Sequence, residues 1–167
     1  PYLPETLDSV LVQTYPHWEM LIVDDGSTDG TWEVLQGCQD ARISALKQEN
    51  TGVATAKNRA IQNSRGRYLA IIDADDLWLP DKLEKQVDFL DTHPDHVAVG
   101  GFVDIIDYDG TYLYTEKKPV THAEIRRHQE HRNPWTHSAV MFTRQAFHKV
   151  GGYYEPIQQY IVDYMIM

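Results

Sequence analysis

The stretch Tyr68-Leu-Ala-Ile-Ile-Asp-Ala-Asp-Asp76 decides the reading of this chain, because an apolar strand there runs into Asp73, Asp75 and Asp76. Apolar runs without alternation mark strands covered on both faces in α/β sheets, and ligands bind beyond the carboxyl ends of such strands. Crowded like charges repel, so the cluster calls for a positive partner. Hard oxygen donors suit Mg²⁺ or Mn²⁺, and such a cation would hold a diphosphate that bare carboxylates repel.

The same architecture occurs upstream. Met20-Leu-Ile-Val-Asp-Asp-Gly-Ser-Thr-Asp-Gly-Thr31 is again an apolar strand ending in acids. Gly26 and Gly30 supply backbone freedom there, and Ser27, Thr28 and Asp29 are residue types that cap helices. Two acidic strand ends about one βαβ unit apart point to two parts of one ligand site on one sheet edge.

Composition narrows the class. A chain of 167 residues with 42% hydrophobic content suits one domain, and residues 1–167 are read as a single catalytic domain cut at both ends. It opens on Pro1 and stops within the apolar run Ile161–Met167. The formal charge of −10 leaves no basic stripe for nucleic-acid phosphates. Cys38 is the sole cysteine, which excludes an intrachain disulfide and fits a reducing compartment. No apolar stretch approaches the roughly 20 residues that cross a bilayer.

Periodicity and punctuation predict helices over 4–13, 31–36, 51–63, from Pro80 to about 93, 121–127 and 144–150. Strands are expected over 18–23, 43–46, 68–72, 97–103 and 138–142, with a hairpin turn at Asp109-Gly110. Alternation of strands and helices up to about residue 93 implies a mostly parallel, Rossmann-like sheet flanked by helices, with a more irregular, mixed second half.

Six segments in order resemble the family 2 nucleotide-sugar glycosyltransferases, which have the GT-A fold. They are residues 4–15, 22–31, Asn50-Thr-Gly-Val-Ala-Thr-Ala-Lys-Asn58, 66–76, Trp135-Thr-His-Ser-Ala-Val-Met-Phe142 and Val150-Gly-Gly-Tyr153. The resemblance implies that Asp25 hydrogen-bonds the nucleobase, that Gly52 lets the backbone pass close to it, and that Asp73 contacts the ribose region. It makes Asp75 the ligand of a Mn²⁺ or Mg²⁺ ion bridging the diphosphate, and Asp163 the catalytic base. Val162 stands where the family has Glu before that base. The family also opens with a central apolar strand and a polar turn, and this sequence has neither.

The implied reaction is a metal-dependent, inverting transfer from a nucleotide-diphosphate sugar to an acceptor hydroxyl, with UDP the default nucleotide. The acceptor would be a saccharide or lipid-linked saccharide of a cell-surface glycan, built in the cytoplasm at the inner face of a membrane. Two other enzymes fit parts of the pattern. An Asp-x-Asp phosphatase would use Asp73 as nucleophile but leave the Asp25 motif unused, and a sugar nucleotidyltransferase usually shows a basic, glycine-rich first loop. A calcium loop starting at Asp25 fails because Gln36 stands where a bidentate Glu belongs. Lys57 and Arg59 read as a solvated helix face within reach of a diphosphate. Trp135 and His137 read either as acceptor-side or as core residues, and the pairs His93/His96 and His128/His131 lack a third metal ligand nearby.

Overall fold

The computed structural model describes residues 2–154. Helix α1 (Leu3–Leu11) opens with proline in its first turn and buries Thr6, Leu7 and Val10. Strand β1 (Met20–Asp25) follows and ends at Gly26, whose φ of 82° suits glycine. A Cβ there would sit 2.9 Å from the Asn50 backbone nitrogen, so no side chain fits. Helix α2 (Thr31–Gln36) carries the chain to β2 (Ile43–Gln48), which pairs with β1 in parallel from Met20↔Ile43 to Asp25↔Gln48.

Helix α3 (Val53–Asn63) starts directly after Gly52, lies against β1 and buries its small residues Ala54 and Ala56. Its carboxyl end is closed by Arg144, which donates to the carbonyls of Ile61 and Gly66 and to the Ser64 hydroxyl. Strand β3 (Tyr68–Ala70) comes next. Glu19, just before β1, accepts the backbone N–H groups of Arg65 and Gly66, just before β3. Both strands therefore leave the same end of the molecule and carry their acids to the same opposite end.

Beyond helix α4 (Lys82–Thr92) the chain forms β4 (Ala98–Val99), the hairpin β5 (Val103–Ile106) and β6 (Tyr112–Glu116), and helix α5 (His122–Gln129). Thr121 and Glu124 close a reciprocal capping box on α5. A 3₁₀ turn, His137–Ala139, then leads to β7 (Met141–Thr143) and α6 (Arg144–Val150). Strand β7 lies between β3 and β4, antiparallel to both. Its alternation divides the core. Phe142, fully buried, packs with Ala54, Ile61, Leu69, Phe147 and Tyr153, whereas Met141 packs with Leu83 and Leu90 of α4.

This is the mixed α/β architecture the sequence predicts, with four local differences. The expected strand over 68–72 pairs only at Tyr68–Ala70, because β7 ends its ladder there. The expected strand over 97–103 breaks at Gly100-Gly101, since Trp135 packs so closely on Gly100 that a Cβ would lie 2.8 Å from its ring. The expected strand over 138–142 begins as the 3₁₀ turn. Helix α4 starts at Lys82 rather than Pro80, whose carbonyl is taken by the Thr14 N–H at 2.8 Å.

Between β1 and β3 lies a cleft of about 550 Å³, lined along its depth by Trp18, Leu21, Val23, Leu69 and Ile71. Among the described residues β1 ladders only with β2, and β3 only with β7, so the edges that face the cleft carry no ladder.

Lys82, at the start of α4, lies over the Trp78 ring at 3.9 Å and donates to Gln86 at 2.8 Å. Burial pushes its ammonium down to about 7. Because the folded value is lowered, the unfolded chain binds more protons between about pH 7 and 10.5, and stability rises with pH there. Replacing Lys82 by Met is expected to raise Tm by a few degrees near pH 6 and by less near pH 9. Thermal melts at the two pH values check this, and an equal gain at both would count against it.

Candidate active site

The acids of both strand ends open onto the same cleft. Asp25, Lys57 and Asp73 all line it, at the end where β1 and β3 finish. The turn that holds Asp73 and Asp75 is pinned from three sides. Thr6, 1% exposed, donates its hydroxyl to the Ala74 carbonyl at 3.0 Å. The Asp73 N–H donates to the Ser138 hydroxyl at 3.0 Å, and the Asp76 N–H donates to the Asp73 carbonyl at 3.2 Å. Trp78 fixes Ser138 in turn by donating its indole N–H to the Ser138 carbonyl at 2.7 Å. Helix α1 and the 3₁₀ turn therefore position the acidic motif through its backbone.

Asp73 faces a cation from the chain itself. Lys57 Nζ lies 3.1 Å from Asp73 Oδ1, and His137 Nδ1 lies 3.9 Å from the same oxygen. The Lys57 ammonium holds the Asp73 carboxyl below the usual carboxylate range, against a desolvation that raises it. Lys57 is the partner within hydrogen-bond reach. It belongs to the site and not to a solvated helix face, since its side chain is only 18% exposed.

Asp25 is satisfied differently, by neutral donors. Oδ1 accepts from Gln48 Nε2 at 2.7 Å and from the Thr51 N–H at 2.9 Å, and Oδ2 accepts from the Gly52 N–H at 2.8 Å. Burial raises this carboxyl, but the Thr51, Gln48 and Gly52 donors outweigh it and the net displacement is downward. Arg59 completes the arrangement by donating to Gln48 Oε1 at 3.0 Å, which turns the amide NH₂ toward Asp25. Asp25 thus fastens the loop before α3, where Gly52 has a φ of 98°. One lone pair on Oδ2 remains for a ligand donor. Neighbouring Asp24 and Asp29 accept the N–H groups of Ser27 and Thr31 and act as turn acids.

Asp75 stands exposed on the turn. No group of three or more His, Cys, Asp or Glu among the described residues could hold a metal alone. The donor set nevertheless fits Mg²⁺ or Mn²⁺, which is bound through one or two carboxylates with the remaining positions left to phosphates and water. Asp75, with Asp73 two residues away, supplies that minimum.

The remaining candidates separate clearly. Trp135 packs on Gly100 and the main core as a structural aromatic. His93 stacks on Phe89 at 4.3 Å, and His128 and His131 lie exposed in and just after α5. Asp163 lies outside the described residues. What sequence reasoning missed is the Lys57–His137 contact, since the two are 80 positions apart and neither carries a local signal for the other.

Residues 1–151 match the profile of glycosyl transferase family 2. The chain belongs to this family. It is 45% identical over 115 residues to the putative teichuronic acid biosynthesis glycosyltransferase TuaG of Bacillus subtilis, covering 67% of this chain and 45% of TuaG. Over 88 residues it is 41% identical to WfaP of Escherichia coli, named as a UDP-Glc:alpha-D-GlcNAc-diphosphoundecaprenol beta-1,3-glucosyltransferase, covering 52% of this chain and 35% of WfaP. In fold it resembles S. aureus TarS 1-349, with a TM-score of 0.76 at 18% identity over 99% of this chain and 50% of that one. It also resembles the mannosyltransferase PcManGT of Pyrobaculum calidifontis, solved with GDP-Man and Mn²⁺, with a TM-score of 0.68 at 24% identity over 93% and 44% of the two chains. The chain thus spans less than half of the length of TuaG or WfaP. Its fold is the GT-A fold, and membership of this family speaks against both the phosphatase and the nucleotidyltransferase reading.

Asp25→Ala leaves the Thr51 and Gly52 N–H groups without their acceptor, at a cost of about 1–3 kcal/mol. The folded carboxyl is lowered, so this stability is present above about pH 3.8 and is lost as pH falls through the folded value. Denaturant titrations of wild type and Asp25→Ala should therefore converge in acid. A gap that is constant with pH would contradict the assignment.

Proposed function

We propose that this chain is the donor-binding part of an inverting, divalent-metal-dependent glycosyltransferase that uses a nucleotide-diphosphate sugar, by default a UDP-sugar. The observation that carries the reading is the shared cleft: Asp25, Lys57 and Asp73 line it together at the finishing ends of two strands. Relatives supply the substrate class. WfaP is named for a UDP-Glc donor and a diphosphoundecaprenol-linked acceptor, TuaG for teichuronic acid biosynthesis, and TarS has been solved with UDP and with UDP-GlcNAc. The proposed acceptor is accordingly a saccharide or lipid-linked saccharide of a cell-surface glycan, met at the inner face of a membrane. No helix among the described residues is long and apolar enough to cross that membrane.

The residues divide the work by charge. Asp25 Oδ2 offers its remaining lone pair to an imide N–H of the nucleobase, and Gly52 gives the base room. Asp73 meets the ribose region, and the Lys57 ammonium beside it balances the diphosphate. Asp75 would hold Mn²⁺ or Mg²⁺, which supplies positive charge to the leaving diphosphate. Asp163 is the proposed base, taking the proton of the acceptor hydroxyl as it attacks the anomeric carbon from the face opposite the diphosphate.

Asp75→Ala is expected to abolish Mn²⁺-dependent binding of UDP, measured by titration calorimetry on the full-length protein. Equal affinity in wild type and variant would remove the metal assignment. Asp163→Asn should leave UDP binding within about twofold while transfer falls by more than about 10²-fold. Retained turnover would take the base role away from Asp163.

A further inference from the structure

Three side chains far apart in sequence meet behind Asp73. Lys57 comes from α3, His137 from the 3₁₀ turn, and Tyr153 from the segment after α6. Lys57 Nζ lies 2.9 Å from His137 Nδ1, and His137 Nε2 lies 2.7 Å from the Tyr153 hydroxyl. The ring is nearly perpendicular to that of Tyr153, with centroids 5.7 Å apart, and its side chain is 9% exposed. This is a clamped imidazole.

The contacts fix its tautomer. An ammonium only donates, so Nδ1 must accept from Lys57 at 2.9 Å and cannot also donate to Asp73 at 3.9 Å. The ring proton therefore sits on Nε2 and is donated to the Tyr153 hydroxyl. Tyr153 is itself held in place. Its N–H donates to Asn58 Oδ1 at 2.9 Å, and Asn58 Nδ2 donates back to its carbonyl at 2.8 Å. The Gly152 backbone passes so close that a Cβ would lie 2.9 Å from Asn58 Oδ1. Consecutive residues of α3 thus serve the two ends of one chain of contacts: Lys57 faces Asp73, and Asn58 anchors the tyrosine that orients the histidine.

A lysine carries three N–H donors on a flexible stem, and fixing that stem costs about 2 kcal/mol of rotamer freedom. Asp73 takes one donor and His137 a second. Two acceptors fix the direction of the third, whereas one would leave the ammonium free to swing. We propose that His137 is a positioning residue for donor binding, which orients Lys57 against Asp73 so that the remaining N–H meets a diphosphate oxygen of the sugar nucleotide. Tyr153 accepts the Nε2–H and holds the ring in this orientation. The inference rests on the donor-site reading above and adds to it a residue that acts only through Lys57.

Calorimetry of UDP with Mn²⁺ on the full-length protein tests this through a double-mutant cycle. His137→Phe is expected to weaken UDP about tenfold when Lys57 is present and less than about twofold in the Lys57→Met background. His137→Asn, whose side-chain oxygen takes the place of Nδ1, should hold affinity within about threefold. Tyr153→Phe, which leaves Nε2–H without its acceptor, should fall between these two and guards against a misfolded His137→Phe. Equal losses from His137→Phe in both backgrounds would mean general structural support and overturn the proposal, as would no loss with Lys57 present. Wild-type protein that binds no nucleoside diphosphate would remove the donor-site reading and this inference with it. Wild-type binding with an additive cycle would remove this inference alone.

Discussion

A carboxylate at the mouth of an apolar cleft needs a counter-charge, and Lys57 supplies it to Asp73 from inside the chain. Much of the surrounding structure serves that contact. Helix α3 approaches closely enough because Ala54 and Ala56 face inward, and Arg144 closes the end of the same helix. Helix α1 and the 3₁₀ turn hold the other partner through Ala74 and the Asp73 N–H. With Asp75 and Asp76 adjacent, the cation also eases the repulsion within the acidic turn before any ligand arrives.

The cleft itself follows from the order of the strands. β1 and β3 leave the same end, as the Glu19 contacts to Arg65 and Gly66 require, yet among the described residues β1 ladders only with β2 and β3 only with β7. The residues along the depth of the cleft are apolar, and polar groups line both of its ends: Asp25, Lys57 and Asp73 at one, Glu19, Arg67 and Asp91 at the other. Donor chemistry belongs at the first of these ends.

Elements with strong local signals were legible in the sequence. The helix over 31–36, the Thr121 cap, the Asp109-Gly110 turn and the acidic strand ends all stand where residue pattern puts them. The differences arose where distant partners decide. Trp135 breaks the strand at Gly100 from 35 positions away, and Thr14 claims the carbonyl of Pro80. The site shows the same division. Asp25 and Asp73 announced themselves by following apolar runs, whereas Lys57 looked like an ordinary charge on a helix. His137 is separated from Lys57 by 80 positions, so only the folded chain reveals the pair.

The two strand-end aspartates differ in how the fold satisfies them, and the difference has a chemical consequence. Asp25 is met by amide donors of Gln48, Thr51 and Gly52, which lower its carboxyl without cancelling its charge. Asp73 is met by an ammonium, which does cancel it. At the same end of the cleft the chain therefore offers a charged acceptor after β1 and, after β3, a locally neutralised carboxylate beside an ammonium. A nucleobase presents a neutral donor and a diphosphate presents negative charge, so on the proposed donor-site reading a nucleotide would enter with its base toward Asp25 and its phosphates toward Lys57. Reversing that direction would set phosphate oxygens against an uncancelled carboxylate in a partly desolvated site, where like-charge contact is most costly. On that reading, the asymmetry of donors around two otherwise similar aspartates is sufficient to orient the proposed donor.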